Sequence, residues 1–298
     1  MSIARIAALT SLAMIAFAGN SLLCRVALKH TSIDAASFTT IRLVSGAVTL
    51  WLVAHLSRGT RAGSGNWPSA FALFVYAAGF SFAYVSLPAA TGALLLFGAV
   101  QATMIAHGIW AGEHLQRPQL VGLVLALGGL VGLLLPSLSA PPLSGSVLML
   151  SAGVAWGVYS LRGKGAGDPT RVTAGNFLRA VPIAAALSVL MHDRVTLDSA
   201  GFWYAVSSGA LASGIGYAIW YTALPALKAT SAATVQLSVP IIAALGGIAF
   251  LGESVTLRLV LASAAILGGI ALVILEKQVA NSAQQIAPAD VPSRRGRA

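Results

Sequence analysis

The chain has 298 residues, of which 57% are hydrophobic and only 9% are charged, and its mean hydropathy is +0.84. A soluble globule of this size needs more polar surface, so the composition excludes a folded soluble domain and predicts an integral membrane protein. The formal net charge of +10 does not indicate a nucleic-acid partner, because the cations are spread over predicted loops and the C-terminal tail, where they set orientation.

Ten apolar runs follow one another in the chain, and a helix needs about 20 largely apolar residues to cross the hydrocarbon core. In the first half the helices are predicted at Ile3 to Leu23, Ala35 to His55, Trp67 to Leu87, Ala89 to Trp110 and Pro118 to Leu135. In the second half they are predicted at Leu143 to Leu161, Val172 to Leu190, Gly201 to Ala223, Thr230 to Leu251 and Leu257 to Leu275. The first run is expected to be a helix and not a signal peptide, because it continues to Asn20 without a small-residue cleavage site.

The second half of the sequence repeats features of the first half. The pairs are Gly79 with Gly216, Tyr84 with Tyr221 and Pro88 with Pro225 at a shift of 137 residues, and Gly112-Glu113 with Gly252-Glu253 and Gly128-Gly129 with Gly268-Gly269 at a shift of 140. Matches at turn residues and helix-packing glycines are typical of a duplicated membrane fold. We therefore expect two repeats, at residues 1–137 and 138–276, and a polar tail at 277–298.

Each predicted repeat has five helices, and because five is odd the two copies must lie in the membrane with opposite orientations. Thirteen of the 18 Lys and Arg residues fall on the side of the two termini. The positive-inside rule then places both termini in the cytoplasm. The expected architecture is an all-α, multi-pass protein of a bacterial-type inner membrane, with ten transmembrane helices in two inverted five-helix repeats.

Aromatic residues at a spacing of four mark one face of two predicted helices. They are Tyr76, Phe80 and Tyr84 in the third helix and Tyr217 and Tyr221 in the eighth, where the shift of 137 residues pairs Tyr76 with Ser213. Residues four apart share a helix face, and a phenol inside a bilayer needs a polar partner or water. Two interpretations stay open: these residues line a cavity between the repeats, or they pack the bundle.

A second group of candidates combines polar and aromatic side chains that are predicted deep in the membrane. Its members are Phe17 and Asn20 in the first helix, Gln101 in the fourth, Trp156 and Tyr159 in the sixth and Gln236 in the ninth. An amide in hydrocarbon is costly unless it is hydrogen-bonded, so these residues are expected to face the bundle interior. With the aromatic residues they predict a binding site for a small amphipathic molecule, and hydrogen bonding between helices is the alternative role.

The charged residues are expected to have mainly structural roles. Arg42 and Arg179 are equivalent under the repeat, and each is expected to extend to the membrane interface, with attraction of a carboxylate as the alternative. His107, toward the inner end of the fourth helix, is expected to pack inside the bundle, with a proton carrier as the alternative role. Glu113 and Glu253 are expected to cap or orient the next helix. All eight acids are predicted at helix ends or beyond, so no buried carboxylate is expected to carry protons.

Short motifs recur together in both halves. They are Ala18-Gly19-Asn20 or Trp156-Gly157 early in each half, an arginine in its second helix, and a Gly-Glu pair after its fourth helix. In these features the chain resembles the drug/metabolite transporter superfamily, EamA type, over residues 3 to 275, and within it the aromatic amino acid exporters of the YddG kind. The second half also has Pro240, whereas Val100 stands where the motif has a proline in the first half. The resemblance implies outward transport of small metabolites.

The sequence contains no metalloprotease, nucleotide-binding or Asp-rich metal motif, so no metal and no cofactor are expected. It predicts a secondary transporter and not an enzyme, with a small-molecule substrate, the lipid bilayer as its other partner, and amino acids, aromatic or otherwise neutral, as the cargo. A monomer is compatible with this prediction. A sugar-phosphate or nucleotide-sugar carrier is the first alternative, weakened because no Lys or Arg is predicted near the membrane centre. An integral membrane enzyme acting on lipid-linked substrates is the second.

Overall fold

The computed structural model describes residues 1–56, 63–112, 116–135, 140–163, 167–227 and 235–286, and of residues 275–286 it describes only the backbone. The described ranges consist of helices and short connections, and they contain no strand. Glu113, with its expected role at the end of the fourth helix, lies outside these ranges.

Ten helices, labelled in chain order, account for most of the described residues. The first five are α1 (Ile3–His30), α2 (Ala35–Leu56), α3 (Trp67–Tyr84), α4 (Ala89–Trp110) and α5 (Arg117–Leu134). The others are α6 (Leu143–Arg162), α7 (Pro169–Leu190), α8 (the consecutive segments Ser199–Ser207, Ser208–Ile215 and Gly216–Ala223), α9 (Ser238–Leu251) and α10 (Leu257–Ile286). Short 3₁₀ turns lie at His192–Arg194 and Leu224–Ala226. The predicted all-helical fold is confirmed.

Two helices extend well beyond their predicted ends. Helix α1 ends at His30, seven residues later than predicted, because Arg25 is buried among other helices and hydrogen-bonded there. Its charge therefore does not mark the end of the helix. Helix α10 continues to Ile286, and no proline or glycine occurs in the sequence between Gly269 and Pro288 to stop it.

Pro240 lies about one turn after an interruption in the ninth predicted helix, whose predicted start at Thr230 lies outside the described residues. Its nitrogen has no hydrogen to donate to the carbonyl of Gln236, and the helical turn at residues 235–236 is interrupted at Leu237. Val100 is the equivalent residue of α4, and α4 is continuous over Ala89–Trp110. The first half has no proline at this position, and its fourth helix is unbroken.

The middle segment of α8, Ser208–Ile215, is a π-helix. Here the backbone of α8 packs directly on α2, because a Cβ atom at Gly209 would overlap the carbonyl oxygen of Arg42. A Cβ at Gly214 would lie 2.8 Å from Cβ of Thr49. Small residues permit this kind of close approach between membrane helices. π-Helical turns are frequent at functional sites.

Successive helices run in opposite directions, so the bundle has a terminal end, where α1 begins and α10 ends, and an opposite end. At the opposite end Asp34 N donates to the Thr196 carbonyl (3.0 Å), and Thr196 N donates to Asp34 Oδ2 (3.0 Å). Burial opposes the charge of Asp34, but hydrogen bonds from Ser37, Thr196 and Ala36 hold the pKa of its carboxyl below its ordinary value. This link fastens the first half of the chain to the second.

Contacts between the halves are nearly unchanged when each helix is exchanged for the one five places away. Helix α2 packs on α7, α4 on α9 and α5 on α10, while the pairs α3–α6, α4–α6 and α3–α7 have the counterparts α8–α1, α9–α1 and α8–α2. The contact of α4 with α10 lacks such a counterpart among the principal contacts of the described residues. A pseudo-two-fold axis between related halves produces this pattern, which supports the expected repeat.

Large apolar side chains cover the outside of the bundle. On α5 the exposed fractions of Leu120, Val124 and Val131 are 54%, 62% and 59%, and Trp110 at the end of α4 is 90% exposed. Seven of the described helices are long and apolar enough to cross a membrane. Hydrocarbon is the solvent in which such a surface is stable, so the chain is a multi-pass membrane protein.

Candidate functional site

Eight aromatic side chains from five helices meet between the two halves, and we call them the aromatic cluster. They are Phe17 (α1), Tyr76 and Phe80 (α3), Trp156 and Tyr159 (α6), Phe177 (α7), and Tyr217 and Tyr221 (α8). The ring of Trp156 lies at the middle, with centroids 4.7 Å from Tyr76, 5.3 Å from Tyr217 and 5.3 Å from Tyr159. Tyr76 and Tyr217 belong to the two helix faces that the spacing of four residues predicts. Both contact Trp156, so the two faces meet through its ring.

Tyr217 connects the remaining members of the cluster. Its ring centroid lies 5.6 Å from that of Phe17, 6.0 Å from that of Phe177 and 6.4 Å from that of Tyr221. Tyr217 is 4% exposed, whereas Trp156 and Phe17 are only partly buried. Aromatic faces of this kind hold apolar groups and attract cations such as an ammonium group.

A chain of hydrogen bonds crosses the cluster and links four helices. Ser208 Oγ donates to Asn20 Oδ1 (2.6 Å), and Asn20 Nδ2 donates to the hydroxyl of Tyr76 (3.4 Å). Arg42 Nη2 donates to the same hydroxyl (2.9 Å). The chain runs from α8 through α1 and α3 to α2, so the amide of Asn20 is satisfied by residues of both halves. This contact pattern is compatible with either role left open for Asn20.

Arg42 is buried inside the bundle as a member of this network, which contradicts the expectation that it extends to the membrane interface. It is 1% exposed, and its Cζ atom lies 5.2 Å from the ring centroid of Tyr76 and 4.8 Å from that of Phe80. The interface was expected because Arg42 lies only about two turns inside α2. However, α3 and the π-helical segment of α8 enclose that side of α2, and the two rings hold the guanidinium by cation–π contacts.

A second polar network lies on the other side of Trp156, toward the terminal end. The hydroxyl of Tyr159 donates to Thr173 Oγ1 (3.4 Å) and accepts from Asn176 Nδ2 (3.3 Å). Thr173 Oγ1 in turn donates to the hydroxyl of Tyr221 (3.4 Å). Neutral hydroxyl and amide groups thus line the side of the cluster that the second half forms. On the side that the first half forms, the corresponding polar group is the cation of Arg42.

Three of the candidate residues lie at the edge of the aromatic cluster or outside it. Tyr84 touches only its edge, with a centroid 4.7 Å from Phe80, and donates from its hydroxyl to the Ala89 carbonyl (3.3 Å). Gln101 is buried in α4 but has no hydrogen bond to the cluster. Gln236 is half-buried in the helical turn before Leu237 and has no described ring contact or hydrogen bond to the cluster.

The other charged candidates also differ from their expected positions. His107 is exposed on α4, so the expectation that it packs inside the bundle is wrong: its side of α4 faces outward. Arg179 is half-buried and donates from Nη1 to the carbonyls of Ser64 (2.6 Å) and Gly175 (2.9 Å). The loop before α3 thus reaches Arg179, and the absence of a side chain at Gly175 makes room for it.

An ion pair ties three parts of the chain together at the opposite end. Arg25 Nε lies 3.1 Å from Glu253 Oε1, and both side chains are about nine-tenths buried. Arg25 Nη1 donates to the Tyr84 carbonyl (2.9 Å), and Ala89 N donates to Glu253 Oε2 (2.8 Å). Glu253 therefore caps α4, which is distant in sequence, and not the helix that follows it. It remains at a helix end, as predicted for all the acids, but it is buried.

Several residues of the site were not singled out from the sequence. They are Thr173, Asn176, Phe177 and Ser208. Asn176 and Phe177 follow Gly175 in α7, and a polar residue next to a glycine in a membrane helix is a signal that could have been used. Among the described residues no group of three His, Cys, Asp or Glu side chains could hold a metal ion.

Comparisons with known proteins agree with this description. The model of the EamA-like transporter family matches residues 143–275. An uncharacterized protein of Pseudomonas aeruginosa is 59% identical over 267 residues, which cover 89% of this chain and 93% of that protein. The threonine/homoserine exporter RhtA of Salmonella typhimurium is 36% identical over 164 residues, which cover 51% of this chain and 53% of the exporter.

The fold is also similar to a solved one. A protein crystal structure matches 94% of this chain and 99% of its own chain with a TM-score of 0.66 at 19% sequence identity. This similarity shows the fold alone.

Proposed function

Because the chain belongs to the EamA-like transporter family, we propose that it is a secondary transporter that moves small amphipathic metabolites by alternating access. The observation that carries the proposal is the aromatic cluster, which lies between the halves and takes side chains from both. Rocking of two inverted repeats exposes a site between them first to one side of the membrane and then to the other. The matching contact pattern of the two halves supports this arrangement.

In this proposal the cargo is a neutral amino acid, and the direction is export. The faces of Trp156 and Tyr217 suit an ammonium group or an apolar side chain, and the polar networks of Asn20 and Asn176 suit the polar groups of a zwitterion. Similarity to a threonine/homoserine exporter over half of the chain supports an amino acid cargo. Aromatic amino acids would use the same rings by stacking.

We place the protein in the inner membrane with the terminal end of the bundle in the cytoplasm. The excess of Lys and Arg on that side supports this orientation. Two exposed serines test it after Cys24→Ser: Ser64 at the terminal end and Ser254 at the opposite end, each replaced singly by cysteine. An impermeant thiol reagent added to intact cells should label Ser254→Cys alone, and labelling of Ser64→Cys alone would reverse the orientation.

Counterflow in proteoliposomes tests the transport function. Vesicles containing purified protein and unlabelled L-threonine or L-phenylalanine should accumulate the labelled amino acid, and empty vesicles should not. Trp156→Ala should abolish this uptake because it removes the central ring, whereas Trp110→Ala, on the exposed surface, should retain it. Counterflow that is equal in both variants, or in vesicles without protein, would contradict the proposal.

The position of Arg42 bears on a second candidate cargo, a sugar phosphate or nucleotide sugar. The argument against sugar phosphates or nucleotide sugars was the absence of a central cation, and Arg42 now provides one. A phosphate carries up to two negative charges, however, and Arg42 is the one cation in contact with the cluster among the described side chains. The same counterflow assay with labelled glucose 6-phosphate distinguishes the cargoes. Turnover of a lipid-linked substrate without transport would favour the membrane enzyme.

A further inference from the structure

The buried guanidinium of Arg42 has no negative partner within the described chain. Both described ion pairs involve other residues, Arg25 with Glu253 and His192 with Asp193. Arg25, equally cationic and nearly as buried, is neutralised by its acid. Arg42 has only two ring faces and one phenol oxygen. A buried cation without an anion is unfavourable, so a fold that retains one has a place for an anion.

The donors of Arg42 are also incompletely used. A guanidinium has five N–H groups, and in Arg42 the Nε and Nη1 atoms are fully buried without any hydrogen-bond partner. The only described acceptor of the group is the hydroxyl of Tyr76, bonded to Nη2. That hydroxyl accepts from Asn20 and Arg42, and no described residue accepts its own hydrogen. Unused donors therefore lie together on two side chains that touch each other.

A carboxylate complements this arrangement. Its two oxygens accept parallel hydrogen bonds from a guanidinium, and its single charge equals that of Arg42. The remaining part of a bound molecule would lie beside Trp156, whose ring centroid is 4.7 Å from that of Tyr76. One aromatic surface and one anion site are thus adjacent, at a distance that a small molecule with both groups can span.

We propose that Arg42, assisted by the hydroxyl of Tyr76, binds the carboxylate of the transported molecule, so that the site selects monocarboxylates whose remaining part packs on Trp156. The identity of the cargo as an amino acid rests on the proposed function, but the carboxylate site rests on the burial and unused donors of Arg42. In the described conformation the rings close over the guanidinium. Entry of the anion belongs to the state in which the halves separate.

Titration calorimetry with purified full-length protein tests the carboxylate site with a probe that is not an amino acid. 3-Phenylpropionate has a carboxylate and a ring, and 3-phenylpropionamide has the same shape without the charge. We expect the carboxylate to bind at least 10-fold more tightly than the amide. Equal affinities, or no binding of either molecule, would overturn the proposal.

Variants separate the anion site from a structural role of Arg42. Arg42→Met should remove the preference for the carboxylate, Arg42→Lys should keep part of it, and the control Arg179→Met should leave it unchanged. A structural role would lower the thermal stability of Arg42→Met and leave the ratio of the two affinities as in the wild type. If Arg42→Met does not fold, Tyr76→Phe replaces it, because it removes the hydroxyl and keeps the ring. An unchanged ratio in Tyr76→Phe would then contradict the proposal.

The carboxylate site and the assignment of an amino acid as the cargo can fail independently of each other. Carboxylate-selective binding through Arg42 without amino acid counterflow would leave the anion site standing and remove the amino acid assignment. Amino acid counterflow with equal uptake of the corresponding amino acid amides would leave the transporter standing and remove the anion site.

Discussion

Arg42 and Arg179 occupy equivalent positions in the two halves, and the structure uses them in different ways. Arg42 in α2 is 1% exposed and lies against two rings of the aromatic cluster. Arg179 in α7 is half-buried and bonds to the carbonyl of Ser64 in the loop before α3. One arginine is a charge at the centre of the bundle, and the other fastens a loop of the opposite half.

The difference comes from the neighbours of the two helices and not from the arginines themselves. Tyr76 and Phe80 lie against Arg42, whereas the shift of 137 residues gives Ser213 and Tyr217 as their counterparts in α8. The loop that reaches Arg179 is accommodated by Gly175, whose equivalent in α2 is Phe38. The two halves thus have corresponding helices, and of these two arginines only Arg42 lies against the aromatic cluster.

The largest effect on stability is expected when Glu253, the acid partner of Arg25, is replaced. Arg25 then resembles Arg42, because it is a buried cation without an anion. Glu253→Gln leaves a nearly buried guanidinium without an anion and should lower the free energy of unfolding by ~3 to 5 kcal/mol. Thermal unfolding in detergent measures this. The double variant Arg25→Met, Glu253→Gln should lose less than the two single changes added together, because neither charge is then left alone. Strict additivity would show that the ion pair is not coupled.

The next effect concerns transport and compares the two equivalent arginines directly. Arg42→Met should lower the initial rate of counterflow by about 100-fold, corresponding to ~2.7 kcal/mol, because a charged hydrogen-bonding partner of the cargo is lost. Arg179→Met should lower it less than 10-fold, because only a loop contact is lost. Both variants are measured at equal amounts of folded protein in the vesicles. Equal losses would mean that the two arginines have the same role.

The smallest effect is expected at Asp34, which links the halves at the opposite end as Arg179 does at the terminal end. Its carboxylate accepts from Ala36 N and Ser37 N, as an N-cap of α2, and from Thr196 N. Asp34→Ala should therefore lower stability by ~1 kcal/mol near pH 7. The control Asp193→Ala, whose side chain is 86% exposed, should change stability by less than ~0.5 kcal/mol.

The pH dependence of this effect has a definite sign. The folded-state pKa of Asp34 lies below its ordinary value, so its contribution is fully present above that ordinary value of about 4. The contribution is lost as the pH falls through the folded-state pKa, when the carboxyl takes up a proton. The difference in unfolding temperature between wild type and Asp34→Ala should therefore narrow below about pH 4. A difference that widened in acid would contradict this description.

The helices could be predicted from the sequence because membrane spans are local features. Apolar runs fixed the starts of α2, α3 and α4 to the residue, since Asp34, Asn66 and Pro88 precede them. Spacing along a helix likewise identified the ring faces of α3 and α8, which do meet at Trp156. These inferences need only helical periodicity and the length of a membrane crossing.

Depth and partners could not be predicted, because they depend on other helices. The distance of Arg42 from the end of α2 was known, but not that α3 and α8 enclose it. The interruption of the ninth helix at Leu237 was also not predicted. The same reasoning placed Glu253 correctly at a helix end, yet its partner Arg25 is 228 residues away in the sequence and only the fold brings them together.

The claim that cargo binds between the two halves can be tested most directly by substrate protection of a single cysteine. Ser213 is suitable because it precedes Tyr217 by one helical turn and is 1% exposed in the described conformation, so that a reagent reaches it only when the halves separate. In a Cys24→Ser background, Ser213→Cys should react with a thiol reagent in proteoliposomes about 10-fold more slowly when the amino acid active in counterflow is saturating. Ser64→Cys, at the terminal end, should react at the same rate with and without it. Equal rates at Ser213→Cys in both conditions would contradict a binding site between the halves.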